Sequence, residues 1–153
     1  MQSLKPSLRI ATPDDLSGVL ALLREASLPQ DIEPHFPSFV VAEANDEVIG
    51  AVGLELLGRS ALLRSLIVAP EWRKAGVGTS LTERAIDQAS AQSFEKLFLL
   101  TTDAAPFFER FGFRDVERAE APTEIQMTRE FRELCPASAR FMKLALAGGS
   151  ADR

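Results

Sequence analysis

The sequence predicts an α/β domain built around a mixed sheet. Short apolar runs with strand-like alternation are interspersed with stretches that carry one apolar face at helical spacing. Turn residues separate these segments, and neither repeats nor an internal linker interrupts the 153 residues. We therefore expect a single domain over residues 1–147, followed by a disordered tail at 148–153, "GGSADR".

Composition and charge exclude several classes of protein. Hydrophobic residues make up 46% of the chain and charged residues 25%, which is typical of a soluble globular domain. The apolar runs are too short to cross a membrane and the N-terminus lacks the apolar core of a signal peptide, so we expect a cytoplasmic protein. One cysteine and one histidine exclude a disulfide framework and a cysteine- or histidine-rich metal site. A net charge of −5 disfavours nucleic-acid binding.

The first half of the chain predicts a strand, a helix, a loop and three further strands. "SLRIATP" alternates like a strand, and Thr12–Asp15 carries the proline and acids of a helix start. The helix has one apolar face, formed by Leu16, Val19, Leu20 and Leu23. Residues 28–37 hold three prolines and predict either a loop or a short irregular helix. "SFVVAEA", "EVIGAVGLELL" and "ALLRSLIVA" then predict an antiparallel meander, with turns at Asn45–Asp46 and Gly58–Ser60.

The second half predicts two helices, a polar helical segment and two strands. A helix is expected over about 77–90, with an inner face of Leu81, Ala85 and Ile86. "KLFLL" predicts a strand covered on both faces. "APFFERFGF" predicts a short helix that begins at Pro106 and is terminated by Gly112. A polar helical segment near 123–133 precedes the last predicted strand, "SARFMKLAL".

The stretch "APEWRKAGVG", residues 69–78, carries the first functional signal. A strand ends at Pro70 and a helix begins near Val77, so backbone N–H groups are left at a helix N-terminus, where the dipole also favours an anion. The glycines let a ligand approach the backbone, while Arg73 and Thr79 add a guanidinium and a hydroxyl. The stretch is neither a Walker loop nor a dinucleotide fingerprint. It predicts either a phosphate-binding loop or an ordinary strand-to-helix connection.

Three motifs in order favour the phosphate-binding interpretation by resemblance. "LRSLIVAPEWRKAGVGTSLTERAI", then "KLFLL", then "FFERFGF" resemble the GCN5-related N-acetyltransferase (GNAT) superfamily, and the similarity runs from about residue 8 to residue 146. The resemblance implies a GNAT-type mixed, mostly antiparallel sheet flanked by helices, with a splayed central strand and a pyrophosphate loop. It also implies acetyl-CoA as the acetyl donor.

The resemblance implies a donor site residue by residue. In the family, backbone amides of this loop bind the pyrophosphate of acetyl-CoA. The corresponding residues are Arg73, Lys74, Ala75, Gly76, Val77 and Gly78. The Thr79 hydroxyl assists them. The edge of the preceding strand is implied to pair with the pantetheine amides through Leu66, Ile67 and Val68. Two positions depart from the family: Lys74 stands where glycine is frequent, and Thr101–Asp103 replace a frequent asparagine.

The chain contains no tyrosine, although a tyrosine in the short helix before the Gly-Phe pair protonates the departing thiolate in much of the family. Phe108 stands at that position, so the resemblance places Phe108 at the cofactor site. A phenylalanine side chain has no proton to donate to the thiolate. General acid–base assistance is worth about 10²–10⁴-fold, and a thiol of pKa about 8.5 is a tolerable leaving group without it. Water or Cys135 is left as the proton donor. The alternative role of Phe108 is packing in the core.

The candidate catalytic bases are Glu43 and Glu55 of the meander, Glu33 and His35, of which Glu55 and His35 are the preferred two. Glu55 shares a strand face with Ala51 and Gly53, small residues that are expected to leave room for a substrate. His35 lies in the proline-rich loop, where family members often place substrate-contacting residues, and the near-neutral pKa of histidine suits a base. The alternatives are an exposed strand-end glutamate and a solvent-exposed histidine without a role.

The segment "EFRELCPASARFM" closely resembles the N-acetyltransferases of arsenic-resistance operons, where an F-x-x-L-C-P-x-S-A segment recurs before the last strand. This resemblance implies a small acceptor, either amino-acid-like or arsenic-containing; a related group acetylates amino-acid antibiotics of the phosphinothricin type. Arg64, Arg129 and Arg132 are candidates to pair with acid groups of such an acceptor. One thiol is a poor site for trivalent arsenic, so Cys135 and Ser138 are interpreted first as a structural turn before the last strand and second as substrate contacts.

These observations predict an acetyl-CoA-dependent N-acetyltransferase that acetylates the amine of a small molecule by direct attack in a ternary complex. Two alternatives stay open. A non-catalytic acyl-CoA-binding regulatory domain is favoured by the missing tyrosine, and a protein or peptide N-acetyltransferase is favoured by the negative charge, which suits a basic peptide. We also expect a homodimer through the last strands, and no metal, membrane or nucleic acid as a partner.

Overall fold

The computed structural model describes residues 5–134 and 138–146. Within them the strands are β1 (Ser7–Ile10), β2 (Val40–Ala44), β3 (Glu47–Leu57), β4 (Ser60–Val68), β5 (Lys96–Thr101), β6 (Arg114–Asp115) and β7 (Arg140–Ala145). The α-helices are α1 (Leu16–Glu25), α2 (Val77–Ala91), α3 (Ala105–Glu109) and α4 (Thr123–Gln126). None of the helices in the described ranges combines the length and apolarity that crossing a bilayer requires. Cys135 and the predicted tail at 148–153 lie outside these ranges, and the single domain over 1–147 stays a prediction.

All seven strands belong to one sheet, in the order β1-β2-β3-β4-β5-β7-β6. Antiparallel pairing joins β1 to β2, β2 to β3, β5 to β7 and β6 to β7, whereas β4 and β5 are parallel. The parallel pair follows from connectivity, because α2 lies between these strands in the chain and returns it to the same end of the sheet. The predicted α/β class with a mixed, mostly antiparallel sheet is confirmed. The two-residue strand β6 was not predicted.

Strand β4 separates from β5 part-way along its length. The described strands pair only over Ser60–Leu62 and Lys96–Phe98, although they continue to Val68 and Thr101. Within β4, Ser65 has a φ of 59°, a left-handed conformation that interrupts regular strand geometry and is uncommon outside glycine. The end of β4 therefore presents a strand edge without a β5 partner. This is the splayed central strand that the family resemblance implies.

The chain divides into two compact units, and the first comprises the residues up to Leu54 together with 65–85. Its apolar core consists of Ala11, Val19, Leu23, Ile32, Phe36, Phe39, Val41, Ala51 and Ile67. Val19 and Leu23 of α1 are fully buried, and Leu16 and Leu20 pack against this core. The predicted apolar face of α1 is confirmed.

The second unit comprises residues 55–64 and those from Ile86 onward. Its core consists of Leu62, Phe98, Leu100, Ala121, Ile125, Ala139 and Phe141. The rings of Phe98 on β5 and Phe141 on β7 stack with centroids 5.2 Å apart and planes 5° from parallel. All four residues of β5 from Leu97 to Leu100 are buried, which confirms the prediction of a strand covered on both faces.

The inner face of α2 differs from the predicted one. Leu81 and Ala85 are fully buried as expected, but Ile86 is half-buried. Thr82 and Ala89 are fully buried instead, and Thr82 satisfies its hydroxyl by donating to the carbonyl of Gly78 at 2.8 Å. Because this hydrogen bond satisfies its hydroxyl within the helix, Thr82 can be buried in the core. Hydrophobic patterning predicts burial of the apolar Ile86 and does not predict burial of Thr82.

Helix α3 is shorter than predicted. It ends at Glu109, and the N–H of Gly112 then donates to the Glu109 carbonyl at 3.0 Å in a tighter turn. Gly112 has a φ of 102°, which only glycine adopts readily, so the chain-stopping role of Gly112 is retained three residues beyond the helix. The turn brings Phe113 to nearly complete burial, at 1% exposure. The early end of α3 and the turn at Gly112 thus coincide with burial of Phe113 in the core.

The polar segment 123–133 is broken rather than one continuous helix. Helix α4 ends at Gln126, and a separate π-type turn follows at Glu130–Leu134. The hydroxyl of Thr128 donates to the carbonyl of Ile125 at 2.8 Å and accepts the N–H of Phe131 at 3.1 Å. These bonds replace the regular helical ladder, because a threonine side chain competes with the backbone for its own hydrogen bonds.

An ion pair ties β1 to the start of α1. The guanidinium of Arg9 donates to both carboxylate oxygens of Asp15, at 2.8 and 2.9 Å, and its Nε–H reaches Glu43 at 2.8 Å. Asp15 also accepts the backbone N–H of Thr12 at 2.7 Å. The hydrogen bonds from Arg9, supported by that from Thr12, outweigh desolvation and lower the pKa of the Asp15 carboxyl from 3.8 to about 2.

We expect Asp15→Asn to lower the free energy of unfolding at pH 7 by about 2 kcal/mol, the value of a carboxyl pKa near 2 when folded against 3.8 when unfolded. Since the folded pKa is the lower one, this contribution is fully present above pH 5 and is lost as the pH falls through about 2. Urea unfolding at pH 7 and near pH 2 measures it, with the exposed neighbour changed in Asp14→Asn as control. Equal stability of wild type and Asp15→Asn at pH 7 would contradict the expectation.

Candidate functional site

The connection from β4 to α2 is built by short-range hydrogen bonds. A 3₁₀ turn at Pro70–Trp72 closes when the N–H of Trp72 donates to the carbonyl of Ala69 at 2.9 Å. The N–H of Arg73 then donates to the carbonyl of Pro70 at 3.3 Å. Proline at the first position of the turn presets its φ, so the chain turns directly after the strand.

Two residues of the loop that follows have left-handed backbone conformations. The φ angle is 74° at Lys74 and 85° at Gly76. A Cβ built on Gly76 would meet nothing within 4 Å, so the space beside this residue is open. Left-handed residues in a turn are a feature of the concave backbone arrangements whose N–H groups bind an anion. Lys74 thus holds a conformation that favours the glycine frequent in the family.

Helix α2 adds N–H donors at the same point. Its first closed bond runs from the N–H of Ser80 to the carbonyl of Gly76, at 3.0 Å. The amides of Val77, Gly78 and Thr79 therefore fall in the first turn, where no intrahelical acceptor is available. The positive end of the helix dipole lies here as well. Loop and helix start together form an open site that suits an oxyanion.

Arg73 fastens the loop to the end of β4. Its Nε–H donates to the carbonyl of Val68 at 3.0 Å, and the side chain is otherwise exposed. Along the edge before it, Leu66 is half-buried and Ile67 is 7% exposed. Arg73 thus engages the Val68 carbonyl at the end of this strand edge. The pairing of Leu66, Ile67 and Val68 with pantetheine amides stays a prediction.

Close packing against β3 and β4 positions the start of α2. A Cβ built on Gly50 would lie 3.1 Å from the carbonyl oxygen of Ile67, 3.1 Å from the side chain of Leu81 and 3.4 Å from that of Val77. Contacts of 3.1 Å are tighter than a Cβ normally tolerates. Glycine at position 50 therefore lets the first turns of α2 approach the sheet.

Phe108 packs in an aromatic cluster of the second unit. It is 5% exposed, and its ring meets those of Phe107 and Phe113 edge-on, with centroids 5.1 and 5.7 Å away. The structure therefore bears out core packing for Phe108, and its role at the cofactor site stays a prediction. Thr101 accepts the N–H of Ala104 on its hydroxyl at 3.0 Å. The threonine that replaces the frequent asparagine thus orders the turn into α3.

Glu55 belongs to a buried ion cluster, which we call the Arg64 cluster: Glu55 of β3, Arg64 of β4 and Glu130 of the π-type turn. Nη1 of Arg64 donates to Oε2 of Glu55 at 2.6 Å, and Nη2 lies 3.6 Å from Oε1 of Glu130. The exposed fractions of the side chains are 4% for Glu55, 2% for Arg64 and 10% for Glu130. The alternative of an exposed strand-end glutamate is therefore wrong. Arg64, a candidate partner for an acid of the substrate, is engaged by protein carboxylates.

The space beside Gly53 is filled by the protein itself. A Cβ built on Gly53 would lie 2.2 Å from Cζ of Phe39, and Ala51 is fully buried. The expectation that Ala51 and Gly53 leave room for a substrate on the face of Glu55 is wrong, because the ring of Phe39 occupies that room. Protein interiors are close-packed, so the space beside a small side chain is commonly filled by a larger neighbour.

His35 lies in a 3₁₀ turn, Glu33–Ser38, in the first unit. The backbone N–H of His35 donates to the carbonyl of Ile32 at 3.0 Å, and the residue is half-buried. The proline-rich stretch therefore takes the second of its two predicted forms, a short irregular helix, at its C-terminal end. The role of His35 as a base stays a prediction.

Sequence reasoning missed Glu130. A signal for the Glu55–Arg64 pair was present, since one acid and one base each stand inside an otherwise apolar strand, "VGLELL" and "ALLRSL". Glu130 carries no such signal, because its segment, "TREFREL", is rich in charge. Arg129 and Arg132, the other candidate partners of an acidic substrate, are exposed.

Comparison with known proteins agrees with this geometry. A family model described as an acetyltransferase (GNAT) domain matches residues 36–115, slightly more than half of the chain. An uncharacterized N-acetyltransferase of Chlorobaculum tepidum is 32% identical over 97 residues, which are 63% of this chain and 62% of that protein. An amino-acid acetyltransferase of Pseudomonas fluorescens is 34% identical over 118 residues, 74% of this chain and 26% of that protein. The chain spans less than two thirds of both relatives.

Solved structures share the fold. The N-acetylglutamate synthase of Neisseria gonorrhoeae, complexed with coenzyme A and N-acetyl-glutamate, superposes with a TM-score of 0.80 at 21% identity. The match covers 95% of this chain and 36% of the synthase. The splayed β4, the open loop before α2 and the family match converge on one conclusion. This chain belongs to the GNAT acetyltransferase family.

Proposed function

We propose that this protein is an acetyl-CoA-dependent N-acetyltransferase that acetylates the amine of a small molecule. The observation that carries the proposal is the open oxyanion site before α2, beside a strand edge without a β5 partner. Coenzyme A offers matching groups, because its pyrophosphate suits the N–H donors and its pantetheine amides suit the strand edge. Membership of the acetyltransferase family supports the same donor.

The resemblance implies that the backbone amides of residues 73–78 bind the pyrophosphate, and we propose that only some of them do. Those of Arg73 and Ala75 already donate within the turn, each at 3.3 Å. We therefore assign the pyrophosphate chiefly to the N–H groups of Gly76, Val77 and Gly78. The Thr79 hydroxyl and the Lys74 ammonium assist, the latter as a mobile positive charge on the loop.

Transfer proceeds by direct attack in a ternary complex. The lone pair of the neutral amine attacks the thioester carbonyl carbon, and collapse of the tetrahedral adduct breaks the C–S bond and expels the CoA thiolate. The amine must lose one proton. We propose that Glu55 is the general base that accepts this proton, and His35 is the second candidate. The thiolate takes its proton from water or from Cys135, because Phe108 has none to donate.

An amino-acid-like acceptor is the class that we propose. Two observations support it: amino-acid acetyltransferases are among the relatives, and "EFRELCPASARFM" resembles the acetyltransferases of arsenic-resistance operons. The first acceptors to try are therefore amino acids, phosphinothricin-like compounds and arsenic-containing amino acids. We also propose a cytoplasmic homodimer that forms through the last strands, where the edge strand β6 has only two residues.

Release of free thiol from acetyl-CoA tests the proposed function. We expect release that depends on an added amine, with the acetylated amine identified by mass spectrometry. Calorimetric binding of acetyl-CoA without turnover on any amine would instead support a non-catalytic acyl-CoA-binding domain. Turnover on peptides alone would support a protein acetyltransferase, and absence of acetyl-CoA binding would contradict all three.

A further inference from the structure

A cavity of about 440 Å³ lies in the second unit, between the turn that follows β6 and the start of β7. We call it the β6–β7 cavity, and its volume falls within the range of about 300–1,000 Å³ that is typical of small-molecule sites. Two hydrogen bonds hold its walls together. The N–H of Val116 donates to the carbonyl of Phe141 at 2.9 Å, and Nη2 of Arg118 donates to that of Ala139 at 2.9 Å.

The least exposed residues that line the β6–β7 cavity are apolar. Ala139 and Phe141 are 5% and 3% exposed, and Val116 is half-buried. The ring of Phe141 is fixed from two sides, because it stacks on Phe98 with centroids 5.2 Å apart and meets Phe131 edge-on at 5.3 Å. A rigid apolar lining of this kind favours a ligand that carries an apolar group.

The two arginines that line the cavity are engaged by the protein itself. Arg140 donates from Nε to Asp115 at 3.0 Å and from Nη2 to Glu109 at 3.3 Å. Arg118 donates to the carbonyl of Ala139, and its guanidinium carbon lies 5.5 Å from the centre of the Phe131 ring. An anionic ligand would have to compete with these partners for both guanidinium groups.

Two carboxylates that line the cavity lack such partners. Glu117 and Glu120 are exposed, and neither side chain forms a hydrogen bond or an ion pair with the residues that the structure describes. The N–H of Glu120 donates to the carbonyl of Glu117 at 2.9 Å, so one tight turn holds both acids at the cavity. Their like charges repel each other, and a bound cation would relieve that repulsion.

The cation that suits these carboxylates is organic rather than metallic. Within residues 5–134 and 138–146, no three acids, histidines or cysteines are grouped so that they could hold a metal ion. The volume of the cavity also exceeds what a single ion needs, and its apolar lining offers no ligand to a metal.

We propose that the β6–β7 cavity binds an organic cation, an amine that also carries an apolar group. The ammonium lies against Glu117 and Glu120, and the apolar group packs on Val116 and Phe141. This inference goes beyond the proposed function and does not depend on it, because the cavity uses none of the residues assigned to the donor site or to proton transfer.

Nuclear magnetic resonance titration with 2-phenylethylamine, without acetyl-CoA, tests the proposal. This amine joins an ammonium to an aromatic ring, 2-phenylethanol keeps the ring without the charge, and methylamine keeps the charge without the ring. We expect the amine to shift the backbone amide signals of residues 115–118 and 139–141. Phenylethanol and methylamine should each bind at least about ten-fold more weakly, because one lacks the ion pairs and the other the apolar contact.

A double variant removes the charge that the proposal requires. Glu117→Gln with Glu120→Gln keeps the size of two exposed side chains, and it should bind 2-phenylethylamine about ten-fold more weakly than wild type and phenylethanol equally. The matched control is Glu25→Gln with Glu47→Gln, which changes the net charge by the same amount at two exposed glutamates of the first unit. This control should bind all three probes as wild type does.

Three results would each overturn the inference. The first is that 2-phenylethylamine shifts no amide signal of the cavity segments, whether or not it shifts signals elsewhere. The second is equal affinity of wild type and the Glu117→Gln, Glu120→Gln variant for the amine. The third is that phenylethanol or methylamine binds wild type as tightly as the amine does.

Discussion

Gly76→Asp is expected to weaken acetyl-CoA binding about 100-fold. Residue 76 has a φ of 85°, and a side chain there would enter open space beside the amides of the loop. A left-handed conformation costs a residue with a Cβ about 1–2 kcal/mol, and a carboxylate in that space adds repulsion against the pyrophosphate. A combined cost of about 3 kcal/mol corresponds to a factor of about 100 in the dissociation constant.

Gly76→Ala is the matched control for this experiment. A methyl group meets no atom within 4 Å, so it introduces backbone strain without a clash or a charge, and we expect a loss of about ten-fold. Gly78→Asp places the same charge in the first turn of α2 and should resemble Gly76→Asp. Isothermal titration calorimetry with acetyl-CoA measures all four proteins. If both aspartate variants bind acetyl-CoA as wild type does, the pyrophosphate assignment fails.

Glu55→Ala is expected to lower the free energy of unfolding by about 3 kcal/mol. The substitution removes the carboxylate 2.6 Å from a guanidinium that is 2% exposed, and the remaining acid, Glu130, lies 3.6 Å away. Removal of one partner from a buried ion pair typically costs 3–5 kcal/mol, because the other charge stays buried with less compensation. We place the effect at the lower end because Glu130 remains. Urea unfolding at pH 7 measures it.

An apolar double variant separates loss of the pair from loss of volume. Glu55→Leu with Arg64→Met removes both charges, and it should recover most of the lost stability because no charge is left uncompensated. A separate variant, Glu55→Gln, tests the role of Glu55 in catalysis. If Glu55 is the base, Glu55→Gln should lower acceptor-dependent turnover by about 10²–10⁴-fold under conditions where it is folded. A Glu55→Ala protein as stable as wild type would show that the Arg64 cluster does not bear on folding.

Much of the fold could be predicted because its signals are local. The apolar face of α1 follows from residues three and four apart, and Val19 and Leu23 are buried as that spacing requires. The three strands of the meander are bounded by turn residues, and Asn45 and Asp46 take the left-handed conformations typical of such a turn. Hydrophobic period and turn chemistry therefore sufficed for the order of elements and for the class of sheet.

Errors arose where a side chain competed with the regular pattern. Thr128 interrupts the segment 123–133 with its own hydrogen bonds, and burial of Phe113 is tied to the early end of α3. The room expected at Gly53 is filled by Phe39. None of these contacts is visible in the period of the sequence, because each depends on which side chain reaches a position in three dimensions.

The sequence by itself determined the family, the order of elements and the segment "APEWRKAGVG" as the candidate donor site. That site is contiguous in the chain, and its strand, proline, glycines and helix start are encoded within about a dozen residues. Only the tertiary structure decided the surroundings of Glu55 and the presence of Glu130 beside Arg64. Local hydrogen bonds and spacing act between near neighbours, whereas a buried ion cluster depends on packing that joins segments far apart in the chain.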